Sequence, residues 1–304
     1  VLQMALETHQ PGEAMRRSFD LLIRGDSPDA VLDVIEDTAV DNPAARQLRE
    51  LFVASEFLAS KLSEETPDFS LIDRILGVAG VRAASAMLDA IATIESRANR
   101  GKVFQRLVEL GPGIGHEVMA RLDDTRWYVR RNLLELLYDL DSPDGFSAAP
   151  FLEDEHEAVR RAAIRLALGQ PAYRERAIEA ALASADSRAV TLGLVAAKDG
   201  CPPGLAERTA DLALSKDHSL ELRLHAVRAL TNVRSEAALR ALIRIARGER
   251  RWIFFRIFRR SGPPAPLELE ALAALRTTWA DNADAKKLLS SRRRDAGTKT
   301  PAAP

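Results

Sequence analysis

Asp124-Thr-Arg-Trp-Tyr-Val-Arg-Arg-Asn-Leu-Leu-Glu-Leu-Leu-Tyr-Asp-Leu140 is the stretch around which the chain is organised, because it returns. Thirty residues on it comes back as Asp154-Glu-His-Glu-Ala-Val-Arg-Arg-Ala-Ala-Ile-Arg-Leu-Ala-Leu168. A further 63 residues on, two steps of about 31, it reads Asp217-His-Ser-Leu-Glu-Leu-Arg-Leu-His-Ala-Val-Arg-Ala-Leu230. Each copy has an Asp, four spacers, an aliphatic residue, an Arg, and then an apolar stripe at helical spacing. A recurrence of 20–50 residues marks a repeat architecture, in which no unit buries its apolar face alone.

The pattern resembles the second helix of the HEAT repeat family, in the short form found in phycobilin-lyase-type proteins. The likeness is carried by the three copies above and extends in degenerate form over residues 70–260. It implies an all-α fold, an armadillo-like right-handed α-α superhelix or α-solenoid, used mostly as a binding scaffold. It also implies a ladder in which Arg130, Arg160 and Arg223 reach the Asp of an adjacent repeat, drawn from Asp124, Asp154 and Asp217. Independently of the family, each of these Asp residues precedes a helix and offers an acceptor for its unpaired N–H groups, worth about 1 kcal/mol.

Composition agrees. Aromatic residues are only 5% and charged residues 29%, a balance that suits packed helix pairs rather than a β-sandwich. No apolar run approaches the roughly 20 residues that a membrane-spanning helix needs. Ile253-Phe-Phe-Arg-Ile-Phe258 is the most apolar short run, and Arg256 interrupts it. With no signal-like segment and a single cysteine, Cys201, the expectation is a cytoplasmic protein without an internal disulfide. Val1 in place of Met suggests a processed chain or the C-terminal part of a longer one.

The periodicity predicts helices throughout. Residues 1–12 read as a frayed start or the remnant of a preceding helix. Helices follow over Glu13–Arg24, from Ser27-Pro28 to about Thr38, and as one long helix from Asn42-Pro43 to about Glu65. These lack the Asp-to-Arg pattern, so residues 1–66 read as a divergent N-terminal segment. Residues 67–260 hold the HEAT-like repeats, ending in a pair over Glu236–Ala246 and Glu249–Arg259. Residues 261–291 read as a capping pair, as an open-ended stack requires, and 292–304 as a disordered tail. Shifting by 30 places Arg100 on Arg130, which makes Arg97–Leu110 an earlier, degenerate copy.

Signals for chemistry are weak. Cys201 lies between Gly200 and Pro202 with no His at a recognisable motif distance. His218, Glu221 and His225 share a helix face but lack further ligands to complete a metal shell. Gly111-Pro-Gly-Ile-Gly115 follows a helix rather than a strand and lacks the Lys-Ser/Thr of a phosphate loop. The expectation is no enzyme, no metal and no cofactor.

What remains is binding. A protein partner is expected on the concave face lined by second helices, through Arg126, Arg131, Glu135, Arg165 and Arg228. Charge is segregated along the chain: residues 1–95 sum to −9, residues 96–235 to zero and residues 236–304 to +8. The basic end contains Arg240, Arg244, Arg247, Arg250, Arg251 and Arg256 interleaved with aromatic residues. It reads as an end repeat whose aromatics are core and whose arginines are solvated or paired, as a dock for an acidic protein segment (including the acidic end of another copy), or as a surface for the phosphates of a nucleic acid.

Overall fold

Burial periodicity, not propensity, decides where the helices of this chain lie. The computed structural model describes residues 1–39, 41–54, 56–248 and 265–297, with side chains to 292. Regular structure among the described residues is helical, without a strand. No described helix is long and apolar enough to cross a membrane. Two compact units result, Val1–Phe146 and Ser147–Pro304, and their division falls inside the stretch expected to hold the repeats.

Among the described residues the first unit contains ten α-helices: α1 (Leu2–Glu7), α2 (Glu13–Arg24), α3 (Asp29–Glu36), α4 (Pro43–Ala54), α5 (Phe57–Leu62), α6 (Phe69–Ala79), α7 (Ala84–Ile91), α8 (Arg97–Glu109), α9 (Gly115–Met119) and α10 (Trp127–Asp139). Of the two readings of the chain start, the helical one holds: in α1, Leu2, Ala5 and Leu6 are buried, and Asn42 Nδ2 donates to the Leu6 carbonyl at 2.8 Å. One expectation is corrected here. The helix expected over 43–65 is two helices. On one continuous helix Phe52 and Phe57 would point about 140° apart. Broken after Ala54, the chain brings their rings to 6.5 Å, while Phe52 also meets Phe19 edge-on at 5.1 Å. Phe19 and Phe52 are almost wholly buried, each contributing about 1.5–3 kcal/mol of transfer free energy.

Successive helices of this unit pack on near neighbours: α3 and α4 on α6, α5 on α7, α7 on α8 and α9, and α8 and α9 on α10. Asp68 caps α6 through Ser70 and Leu71 N–H, and Ser96 caps α8 through Asn99 N–H. Gly111, at φ 77°, makes the turn out of α8 that an L side chain would resist.

The second unit begins with a 3₁₀ turn (Ala149–Glu153) in place of a first helix. It continues with α11 (Glu157–Leu168), α12 (Arg174–Ala183), α13 (Ser187–Ala197), α14 (Ala206–Leu214), α15 (Leu220–Thr231), α16 (Glu236–Arg247), α17 (Pro266–Thr278) and α18 (Ala283–Gly297). Here α12 packs on α13, α14 on α15 and α16 on α17, while α11, α13, α15 and α17 touch in series. The close approach of α12 and α13 needs Gly193, where an added Cβ would come within 2.5 Å of Ala181 Cβ.

At the end of this unit helix α16 packs on α17, which also lies on α15. The expected helix Glu249–Arg259 lies outside the described residues. Residues 292–297, expected to be disordered, extend α18. Arg292 anchors it, donating to the Ala246 and Arg247 carbonyls at 2.8 and 3.2 Å, where the C-terminus of α16 attracts a cation.

Candidate protein-docking surface

The arginines of the repeat pattern do a job the spacing alone does not reveal. Arg130 Nη1 donates to the carbonyls of Asp124 and Thr125 at 2.8 and 3.0 Å. Arg160 Nη1 does the same to Asp154 and Glu155 at 2.7 and 2.9 Å, and Arg100 Nη1 to Ile94 and Glu95 at 2.6 and 2.8 Å. At three positions thirty residues apart, one guanidinium therefore closes the turn that enters its own helix. Arg223 varies the theme with Nε on the Ala213 carbonyl at 3.1 Å. Asp124 and Asp154 fold the same turns, accepting the N–H of Arg126 and His156, both at 2.8 Å. The cap of α15 is Ser219 rather than Asp217, whose own N–H donates to Ser215 Oγ.

Further arginines link a carboxylate to a neighbouring repeat. Arg161, one residue past Arg160, puts Nη1 2.5 Å from Asp186 Oδ2, while Asp186 Oδ1 caps α13. In the first unit Arg106 grips both oxygens of Asp73 at 2.5 and 2.8 Å, and Arg121 Nε reaches Asp89 at 3.1 Å. These pairs lie 33 and 32 residues apart, one repeat length. Burial works to raise the Asp186 carboxyl, but Arg161 and the Arg188 N–H outweigh it, and the net shift is downward. The side-chain bond from Arg126 pulls Asp124 down to about 2.

The buried stripe of each helix in the series α11–α13–α15–α17 leaves an opposite face open. On α11 that face carries Arg161 and Arg165, and on α13 Thr191 and Val195. On α15 it carries Leu224 and Arg228, and on α17 Leu269 and Ala273. Val195 is 49% and Leu269 52% exposed, well above what an aliphatic side chain keeps in a core. Arg161–Asp186 ties α11 to α13, and Arg228 Nε–Glu270 Oε1, at 2.8 Å, ties α15 to α17. On the helices these two pairs join, Val195 is exposed, Thr191 is half-buried and Leu224 is half-buried against the core, with exposed Arg165 on the helix before them.

The expected partner-binding residues are distributed unevenly about this face. Arg165 and Arg228 belong to it. Arg126 lies on the first unit and is engaged, holding Asp124 through Nε and Nη2 at 2.9 and 2.6 Å and the Ala92 carbonyl at 3.3 Å. Arg131 faces Glu135 at 3.7 Å on α10, with its Nε buried and unpartnered. Arg250, Arg251 and Arg256 lie outside the described residues. Val195, Leu224 and Leu269 were not singled out by the sequence, where they count only as members of an apolar stripe.

A second exposed surface lies on α16. Arg240, Arg244 and Arg247 are exposed at helical spacing; Arg240 pairs with Glu236 at 3.2 Å.

Other candidates have structural explanations. Cys201 is buried with Sγ 3.8 Å from Thr209 Oγ1, and burial raises its pKa. Gly115 packs against Pro143, where a Cβ would come within 2.4 Å of the ring. Among the described residues no group of three His, Cys, Asp or Glu side chains converges to hold a metal ion. No protein-family model, curated protein or solved structure matches this chain.

Proposed function

We propose that this protein is a non-enzymatic scaffold of the HEAT type, an α-solenoid that works in the cytoplasm by docking a protein partner along its second helices. The observation that carries this reading is the exposure of two aliphatic side chains, Val195 on α13 and Leu269 on α17, on helices of one packed series that ion pairs join. Apolar contact rimmed by arginine is the usual make-up of a protein interface centre. These side chains lie on helices whose other faces are packed, so a partner meets a preformed surface and little ordering cost attends binding.

A crosslinking pull-down from the native source, run in parallel with Val195→Asp/Leu269→Asp, tests it. One protein should be recovered in stoichiometric amount by the wild type and lost by the variant, with helical content unchanged. Equal recovery by both proteins, or recovery of none, would overturn the reading.

The basic face of α16 supports a second reading, a nucleic-acid-binding solenoid. Arg240 and Arg244 stand about 6 Å apart along the helix axis, close to the rise between phosphates on extended strands. Salt-dependent retention of DNA or RNA, lost on Arg250→Glu/Arg251→Glu/Arg256→Glu, would support it; absence of retention at low salt removes it.

A further inference from the structure

Among the described residues Arg244 and Arg247 have no acidic partner. Both are exposed on α16, and neither makes an ion pair among the described residues, whereas Arg240 is held by Glu236. The chain does not lack carboxylates, with 44 Asp and Glu against 43 Lys and Arg. They are concentrated elsewhere: residues 1–95 sum to −9 and residues 236–304 to +8. The complement of the basic end is the acidic end of the same chain.

At that end helices α1 and α3, with the turn after α3, line an open depression of about 460 Å³. Glu7, Asp33 and Asp37 stand on it, and Leu6 and Val34 also line it. Gln3 holds Glu7, Arg74 holds Asp33, and Asp37 makes no side-chain bond among the described residues. No lysine or arginine lines it; Arg49 is buried and donates to the Thr38 carbonyl. Arginine suits such a place, since its methylenes lie on apolar side chains while the guanidinium meets carboxylates.

We propose that the Arg244–Arg247 face of α16 docks into the acidic α1–α3 depression of a second copy, so that the chain self-associates head to tail. The inference does not depend on the second-helix face. Contact between unlike patches is heterologous and propagates into open chains unless it closes. Because the groups are exposed, the association is weak and falls with salt, as the screening length drops from about 10 Å at 0.1 M to about 3 Å at 1 M.

Sedimentation velocity of the full chain over a concentration series tests this. At low salt the weight-average coefficient should rise with concentration, and at high salt return to that of the monomer. Arg244→Glu/Arg247→Glu and Glu7→Lys/Asp37→Lys should each stay monomeric at low salt, and an equal mixture of the two should associate again. Any of four results overturns the proposal: a monomer at every concentration in low salt, association that either reversal leaves intact, a mixture that stays monomeric, or low-salt species that carry nucleic acid by their ultraviolet absorbance.

Discussion

Arg161 on α11 and Asp186 at the head of α13 form the link between neighbouring repeats in the second unit. Nη1 of the arginine meets Oδ2 of the aspartate at 2.5 Å while Oδ1 caps the helix. One carboxylate thus serves both a local and a tertiary purpose. Its side chain is only 8% exposed, so the bond is screened far less than a surface pair. Asp186→Ala should lower stability by about 2–4 kcal/mol, the cap and the charged hydrogen bond together. Arg161→Ala, which spares the cap, should cost less. Denaturant melts of the two variants and their combination would measure the coupling; additive effects would show that the link contributes nothing.

Acid should erase part of this stabilisation. Asp124 is held at about 2 and Asp186 is also lowered, against about 3.9 in an unfolded chain. A carboxyl depressed in the folded state stabilises above its unfolded pKa and loses that contribution as pH falls through the folded one. The melting-temperature gap between wild type and Asp124→Asn/Asp186→Asn should therefore be full above about pH 4 and narrow toward pH 2. A constant gap across that range would exclude this cause.

Arg160→Lys tests the turn clamp. A lysine keeps the charge but not the longer, planar guanidinium that carries Nη1 to both the Asp154 and Glu155 carbonyls. The substitution should cost about 1–2 kcal/mol, and the same should hold for Arg100→Lys. Wild-type stability in both would show that charge alone suffices.

Gly193→Ala sets helix propensity against packing. Alanine favours the helix by about 1 kcal/mol, yet its Cβ would meet Ala181 Cβ at 2.5 Å. Overpacking of this kind costs about 1–3 kcal/mol, so a net loss is expected. Ala181→Gly in the same chain should restore part of it, which thermal melts would show.

Cys201 should be inert in the folded protein. Buried, and with a pKa raised by that burial, it holds little thiolate near neutrality. A chromogenic thiol reagent should label it slowly in buffer and completely in denaturant; rapid labelling in buffer would contradict the packing of this loop.

The all-helical class, and most helices over 13–39 and 69–247, follow from the sequence, because burial on one side of a helix imposes its own period on the residues. The Asp-to-Arg recurrence was equally visible from the sequence, and so was the charge gradient. Tertiary structure alone decided which arginine meets which carboxylate. Arg160 and Arg161 are adjacent and chemically identical, and only the placement of α13 beside α11 sends one to a backbone turn and the other to Asp186. It decided too that α17 follows α15 in the series, and that Val195 and Leu269 face outward rather than inward. A helix has one apolar stripe in its sequence, but which edge of that stripe stays uncovered depends on the neighbour that packs against it.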